Sequence, residues 1–253
     1  IVNVTDNTAP LTISDSGNVG IGVVPNAGWS ANNKVLDFGY HGSVSTDGDG
    51  SKFGMNMAMN AYAVGGADPS SWKYKTNSAF HASLYHQTAG SHTFYVTNNT
   101  AVTDAAISWN TAMTIDNAGR VTKPLQPAFS VSKDNGNVAI GADYIPNYVR
   151  HNIGSHYSTS NGRFTAPIAG SYHFSFEVMN HDATYDNKSW TIRKNGSAYQ
   201  AVYGSSGGSV HHRFNWSGTI YLGLNDYIDM YTGNLSLYGG GLLYAHVSGH
   251  LIG

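Results

Sequence analysis

The chain has 253 residues, with 13 Lys and Arg against 15 Asp and Glu, and charged residues make up only 11% of it. An average soluble protein carries about 25%. The thin, dispersed positive charge gives no basic patch for nucleic acid. The absence of cysteine excludes disulfides and thiolate zinc sites, and no apolar run approaches the roughly 20 residues of a membrane span. Neither a nucleic-acid partner nor membrane insertion is therefore expected. Glycine accounts for 30 residues, hydrophobic residues for 41% and aromatics for 12%, while Glu177 is the one glutamate. Scarce helix formers argue against long surface helices, and the apolar content argues against disorder. The composition is that of an all-β, turn-rich protein. Because it begins at Ile1 and not Met, the chain is expected to be the C-terminal part of something longer.

The first element is a hairpin that occurs twice. Leu11-Thr12-Ile13-Ser14-Asp15-Ser16-Gly17-Asn18-Val19 returns, at a constant offset, as Met113-Thr114-Ile115-Asp116-Asn117-Ala118-Gly119-Arg120-Val121. Each copy reads as strand, polar turn with glycine, strand. An isolated hairpin is marginal in water. Leu11, Ile13, Val19 and Ile21 need a second surface, which points to several chains around one axis. Between the copies, alternation marks strands at Met55, Met57 and Met59, at Trp72 and Tyr74, and at Phe94 and Val96. Gly-Asp and Gly-Pro clusters separate them. This tract reads as a small inserted β domain.

After Lys123-Pro124-Leu125-Gln126-Pro127, an extended joint, strands recur about every ten residues. Tyr172, Phe174, Phe176 and Val178 alternate, as do Trp190 and Ile192, and Ile228 and Met230 follow an Asn225-Asp226 turn. Such spacing predicts a sandwich or jelly roll. The domain boundaries read from the chain are 1–25 for a shaft hairpin, 26–110 for the inserted β domain, 111–126 for the second hairpin and joint, and 127–253 for the tip.

Residues 127–253 resemble the C1q/TNF-like domain family. Its pieces come in order: Pro127-Ala128-Phe129-Ser130-Val131, then Asn152-Ile153-Gly154-Ser155-His156-Tyr157. Next comes Gly162-Arg163-Phe164-Thr165-Ala166-Pro167-Ile168-Ala169-Gly170-Ser171-Tyr172-His173-Phe174, then Ile192-Arg193-Lys194-Asn195-Gly196, and finally Ser248-Gly249-His250-Leu251-Ile252. In the longest piece Phe164 is expected to enter the core and Tyr172 and Phe174 to return to the same face. The sequence departs from the family at Asn225-Asp226, where Gly-Asp is usual, and at Val247, where an aromatic is usual. Residues 1–126 resemble the distal part of bacteriophage tail fibres, through Thr12-Ile13 followed by Gly17-Asn18-Val19-Gly20-Ile21-Gly22. Together the resemblances imply a trimeric fibre with β-hairpin shaft segments, a small β domain and a C-terminal C1q-like jelly-roll sandwich. They imply a homotrimer on a virion tail fibre, outside the cell, that attaches to a bacterial surface glycan or protein. A secreted C1q-like lectin or adhesin is the alternative, and a polysaccharide depolymerase a further one.

Candidate sites follow from side-chain chemistry. Glycosidases need two carboxyl groups with one pKa raised. With a single glutamate, and with aspartates such as Asp47, Asp49, Asp182 and Asp186 set among turn residues, no enzyme activity is expected. Sugar faces stack on exposed aromatics, and Tyr185, Tyr203, Trp216 and Tyr238 fall in or near loops of the tip, where packing is the competing role. The 12 histidines include His211-His212, which on a strand would point to opposite faces. His246 and His250 would share a face about 13 Å apart. The C1q resemblance implies a calcium ion, for which Asp226 or Asp229 would supply oxygens.

Overall fold

The computed structural model describes residues 11–47, 54–65, 71–77, 79–181, 187–204 and 211–253. Asp49, Asp182, Tyr185 and Asp186 lie outside the described residues. The chain divides into two compact units, Ile1–Pro124 and Leu125–Gly253. The described residues form strands, turns and loops and no α-helix, as the scarcity of helix formers predicts.

Unit 1 contains β1 (Leu11–Ile13), β2 (Val19–Ile21), β3 (Asn33–Phe38), β4 (Gly42–Asp47), β5 (Gly54–Met59), β6 (Ala61–Ala63), β7 (Trp72–Tyr74), β8 (Ser83–Thr88), β9 (Ser91–Val96), β10 (Asn110–Ile115) and β11 (Val121–Thr122). Nine of them make one sheet in the order β1-β2-β3-β4-β5-β8-β9-β10-β11. The two repeated hairpins are the two ends of that sheet, joined to the tract between them and not set apart from it. The first joins through a parallel pairing of β2 with β3. The second joins through antiparallel pairing of β10 with β9.

The repeat is a repeat of geometry. Gly17 N donates to Ser14 O over 2.8 Å, and Gly119 N donates to Asp116 O over 2.9 Å. Both glycines have positive φ, 79° and 81°, a region that L side chains enter at a cost. The side chains of Ser14 and Asp116 then accept from the backbone N–H of Asn18 and Arg120.

One face of the nine-stranded sheet is covered by β6, β7 and the segment around Ala101 to Ile107. Val35, Ala58 and Leu84 pack there with Tyr62, Trp72, Tyr74 and Ile107. The same layer buries a charge pair. Lys75 Nζ donates to Asp37 Oδ1 at 2.5 Å, and Asp37 Oδ2 accepts from Trp29 Nε1 and Asn26 N. Burial pulls the Lys75 pKa down, against the raising effect of Asp37. His86 is buried beside Asn56, with Nδ1 2.6 Å from Oδ1. The oxygen only accepts, so Nδ1 carries the proton.

Unit 2 contains β12 (Ala128–Ser132), β13 (Tyr148–Ile153), β14 (Tyr157–Ser158), β15 (Arg163–Thr165), β16 (Gly170–Met179), β17 (Lys188–Lys194), β18 (Ser197–Gly204), β19 (Arg213–Leu222), β20 (Tyr227–Tyr231) and β21 (His246–Leu251). They form two five-stranded sheets, β13-β12-β21-β16-β19 and β14-β15-β20-β17-β18. This is the expected jelly-roll sandwich. Alternation along β16 buries Tyr172, Phe174, Phe176 and Val178. Phe164 does not share their face. It sits on β15 in the opposite sheet and meets Tyr172 and Phe174 across the core at 5.4 and 5.7 Å. The run from Phe164 to Phe174 is therefore the crossover between sheets. Gly249 on β21 leaves room for this stack: a Cβ there would lie 2.6 Å from the Phe174 ring and 2.7 Å from the Phe129 ring.

Two outcomes follow. Lys75→Met leaves Asp37 buried without its cation and is expected to cost about 3 kcal/mol, read by urea unfolding followed through tryptophan fluorescence. The second concerns pH. Burial holds the pKa of His86 below the usual 6.5. His246, whose Nε2 lies 2.7 Å from Ser130 Oγ, is lowered by burial and then by Arg150 and His151. The unfolded chain takes up protons first as pH falls, so stability is full above about pH 6.5 and is lost below it. Melting temperature is expected to be lower at pH 5 than at pH 7.5, and His86→Gln to narrow that difference.

Candidate functional site

Three connections meet at one end of the unit 2 sandwich. The segment after β16 brings Asn180 and His181, the segment before β19 brings His211 and His212, and the link from β20 to β21 brings Leu237, Tyr238 and Tyr244. Asn180 is fully buried and ties them together. Its N–H donates to His212 O at 2.9 Å, and its Oδ1 accepts from His212 N at 2.6 Å. His181 N donates to Ser236 O, and Tyr238 N to Met179 O. Leu237 anchors the third segment in the core.

On this frame stands an aromatic cluster. The Tyr238 ring stacks on His181 at 6.0 Å with an interplanar angle of 11°. His211 and Tyr244 meet it edge-on at 4.8 and 5.2 Å. Tyr238 is half-buried, Tyr244 lies partly open, and Leu243 beside them is 80% exposed. Such rings offer stacking faces with polar edges, which suits the apolar face and hydroxyl rim of a sugar. The cluster lies at the opposite end from the chain's entry. Tyr172, near one end of β16, pairs with Leu251, and Met179 at the other pairs with Arg213.

The other predicted positions have different surroundings. Tyr203 on β18 is 73% exposed and borders a cavity of about 190 Å³ with His212, Arg213 and Asn215. Arg213 is paired with Glu177. Trp216 is half-buried at the core's edge, 6.1 Å from Phe176. Its packing role is the one the structure displays. Sequence reasoning missed His181, His211 and Tyr244, which are far apart in the chain; the loop aromatic Tyr238 was the visible signal. His211 has a φ of 71° and precedes β19, so the strand-based reading of His211-His212 does not apply.

Asp226 and Asp229 do not fit a calcium site. Asp226 is held by Lys194 Nζ at 2.9 Å, Asn195 Nδ2 at 2.7 Å and Gly223 N at 2.8 Å. The Asn195 hydrogen bond foremost, then that of Lys194, lowers its pKa to about 2. Asp229 is buried and accepts from Arg193 Nε at 2.6 Å and Arg163 Nε at 3.2 Å. Both carboxylates are spent on protein cations, whereas calcium needs six or more oxygens. Among the described residues no group of three or more His, Asp or Glu is placed to hold a metal ion.

A ten-stranded sandwich of two antiparallel sheets, with its long connections gathered at one end, defines a jelly-roll domain. Residues 128–252 match the C1q domain family, and they fall within unit 2. Similar solved structures include the globular domain of zebrafish complement 1qA, at 17% identity over 51% of this chain and 98% of that one, with a TM-score of 0.41. Eiger TNF from S. frugiperda matches at 11% identity over 51% and 93%, with a TM-score of 0.42. The PRD1 vertex protein P5 matches at 14% identity over 51% and 99%, with a TM-score of 0.37. No curated protein matches the chain. Among the described residues no helix is long and apolar enough to cross a membrane.

Asp229→Asn is expected to destabilise unit 2 by about 3 kcal/mol, since Arg163 and Arg193 lose their shared anion. Calcium titration is expected to displace the melting temperatures of Asp229→Asn and Asp226→Asn by the same amount as that of the unsubstituted chain. A calcium shift abolished by either substitution would contradict the assignment of these two carboxylates.

Proposed function

We propose that this chain is the distal part of a phage tail fibre, a homotrimer whose C1q domain attaches to a glycan on the bacterial host surface. The observation that carries the binding reading is the Tyr238 cluster, an aromatic surface at the end of the domain farthest from its entry. Stacking at one such surface is weak. Three copies on one fibre supply avidity without any new contact. The repeated hairpin, with the same turn geometry at both ends of the unit 1 sheet, supports the fibre reading.

The C1q match serves a second reading equally, a secreted C1q-like lectin or adhesin. Competition separates the two: the purified chain would block phage adsorption to host cells only on the first. Binding without turnover is proposed in either case. Measurable release of reducing ends from host polysaccharide would sink it.

Native mass measurement is expected to give three chain masses. Binding to immobilised host-surface glycan is expected with and without calcium. Tyr238→Ala should weaken one-site affinity about tenfold, or ~1.4 kcal/mol, and multivalent binding by more, with melting temperature little changed.

A further inference from the structure

Among the described residues the nine-stranded sheet of unit 1 is covered on one side, and its composition is inverted. Directly paired residues across a sheet share a face. On the covered face one row runs Val35, Ser45, Asn56, His86, Thr93. Asn33, Ser45 and Asn56 leave buried side-chain polar atoms without hydrogen-bond partners there. On the other face the middle row runs Ile13, Val19, Leu36, Val44, Met57, Tyr85, Phe94, Met113 without a polar interruption other than the Tyr85 hydroxyl. Leu11, Ile21, Phe38, Met59 and Val96 stand in the row on one side, among Gly42, Ser83 and Asn110. Met55, Ile115 and Val121 stand in the row on the other side, among Lys34, Thr46, Gln87 and His92. Ile13 is 66% exposed, Met57 51% and Val121 56%.

A chain that worked alone would place these rows the other way round. The hydroxyl of Tyr85 is already bonded within the face, 2.5 Å from His92 Nδ1, so the face can lose its water without stranding that group. The strands span roughly 700 Å² of face by their spacing and rise. A lone protein's largest apolar patch is about 300–600 Å², and a stable interface covers about 800 Å² per partner. The rows carry one charge, Lys34, at a corner. A largely apolar surface of this size, with a single charge at its corner, offers little to a charged partner and fits another copy of itself.

We propose that this face is the contact between copies of the chain, the apolar rows of one copy lying against those of the next around a shared axis. The inference rests on the homotrimeric reading above and adds where the copies meet.

The absence of native cysteine makes the test direct. Met57→Cys lies at the centre of the face. Val102→Cys lies in the link between β9 and β10, and the two parent residues are almost equally exposed, at 51% and 54%. In the full chain under native conditions, maleimide labelling of Met57→Cys is expected to be at least tenfold slower than that of Val102→Cys, with equal rates in urea. Tyr85→Cys serves as a second site on the same row and is expected to be protected likewise. Native mass is measured on each variant. A trimer with Met57→Cys protected supports the proposal. A trimer with equal labelling overturns it and leaves the trimer standing, a monomer with equal labelling overturns both, and protection in a monomer overturns it by removing the second copy.

Discussion

A β-sheet has two faces, and a short chain rarely has enough residues to cover both. Unit 1 spends its single covering layer, β6, β7 and the segment near Ile107, on the face that carries Asp37, Asn56 and His86. That choice fixes much else. The covering layer brings Lys75 to Asp37, and the tryptophans around them, Trp29 and Trp72, give the unit its aromatic centre. Among the described residues it leaves the opposite rows of methionine, valine and aromatic side chains uncovered, for the proposed second copy to meet. The hydrophobic effect acts on those rows whatever covers them, so the unit's stability is tied to its company.

Unit 2 settles the same problem internally. Its two sheets face each other, and Phe129, Phe164, Phe174, Phe176 and Trp190 fill the space between. Its polar side chains are likewise committed at home: Asp229 to two arginines, Asp226 to Lys194 and Asn195, Asn180 to the backbone of a neighbouring loop. At the loop end its side-chain surface is aromatic, and the proposed recognition rests on it. The contrast separates the labour of the two halves, one suited to assembly and the other to contact.

Much of this was legible in the residues, for reasons that are local. The turn glycines Gly17 and Gly119 sit where a positive φ is needed, and alternation along β16 marks a strand with one buried side. Period does not say which side is covered. Met55, Met57 and Met59 announce a strand, but only the long-range placement of β6 and β7 decides that Asn56 and Ala58 go inward. The parallel pairing of β2 with β3 has no signature in either segment. Asp226 and Asp229 are offered as calcium ligands by the C1q resemblance, and nothing beside them in sequence shows that their partners in space are Arg163, Arg193 and Lys194, 32 or more residues away. The Tyr238 cluster was half legible for the same reason. One tyrosine in a loop is visible, while the histidines that frame it arrive from two other connections.

The position of that cluster has a mechanical consequence. Entry to unit 2 is through Pro127 beside Leu251, whose N–H donates to Pro127 O, and Gln126 fastens the same end. The cluster lies beyond the other end of β16, about 25 Å on by strand rise. On the proposed attachment, a pull between a ligand held at the cluster and the chain's entry runs along the strands. The hydrogen bonds of β12 with β21 and of β21 with β16 are then strained together, sideways to the load, where a transverse pull would open them one by one. If the proposed attachment is made through the cluster, drag is met by the whole sheet at once.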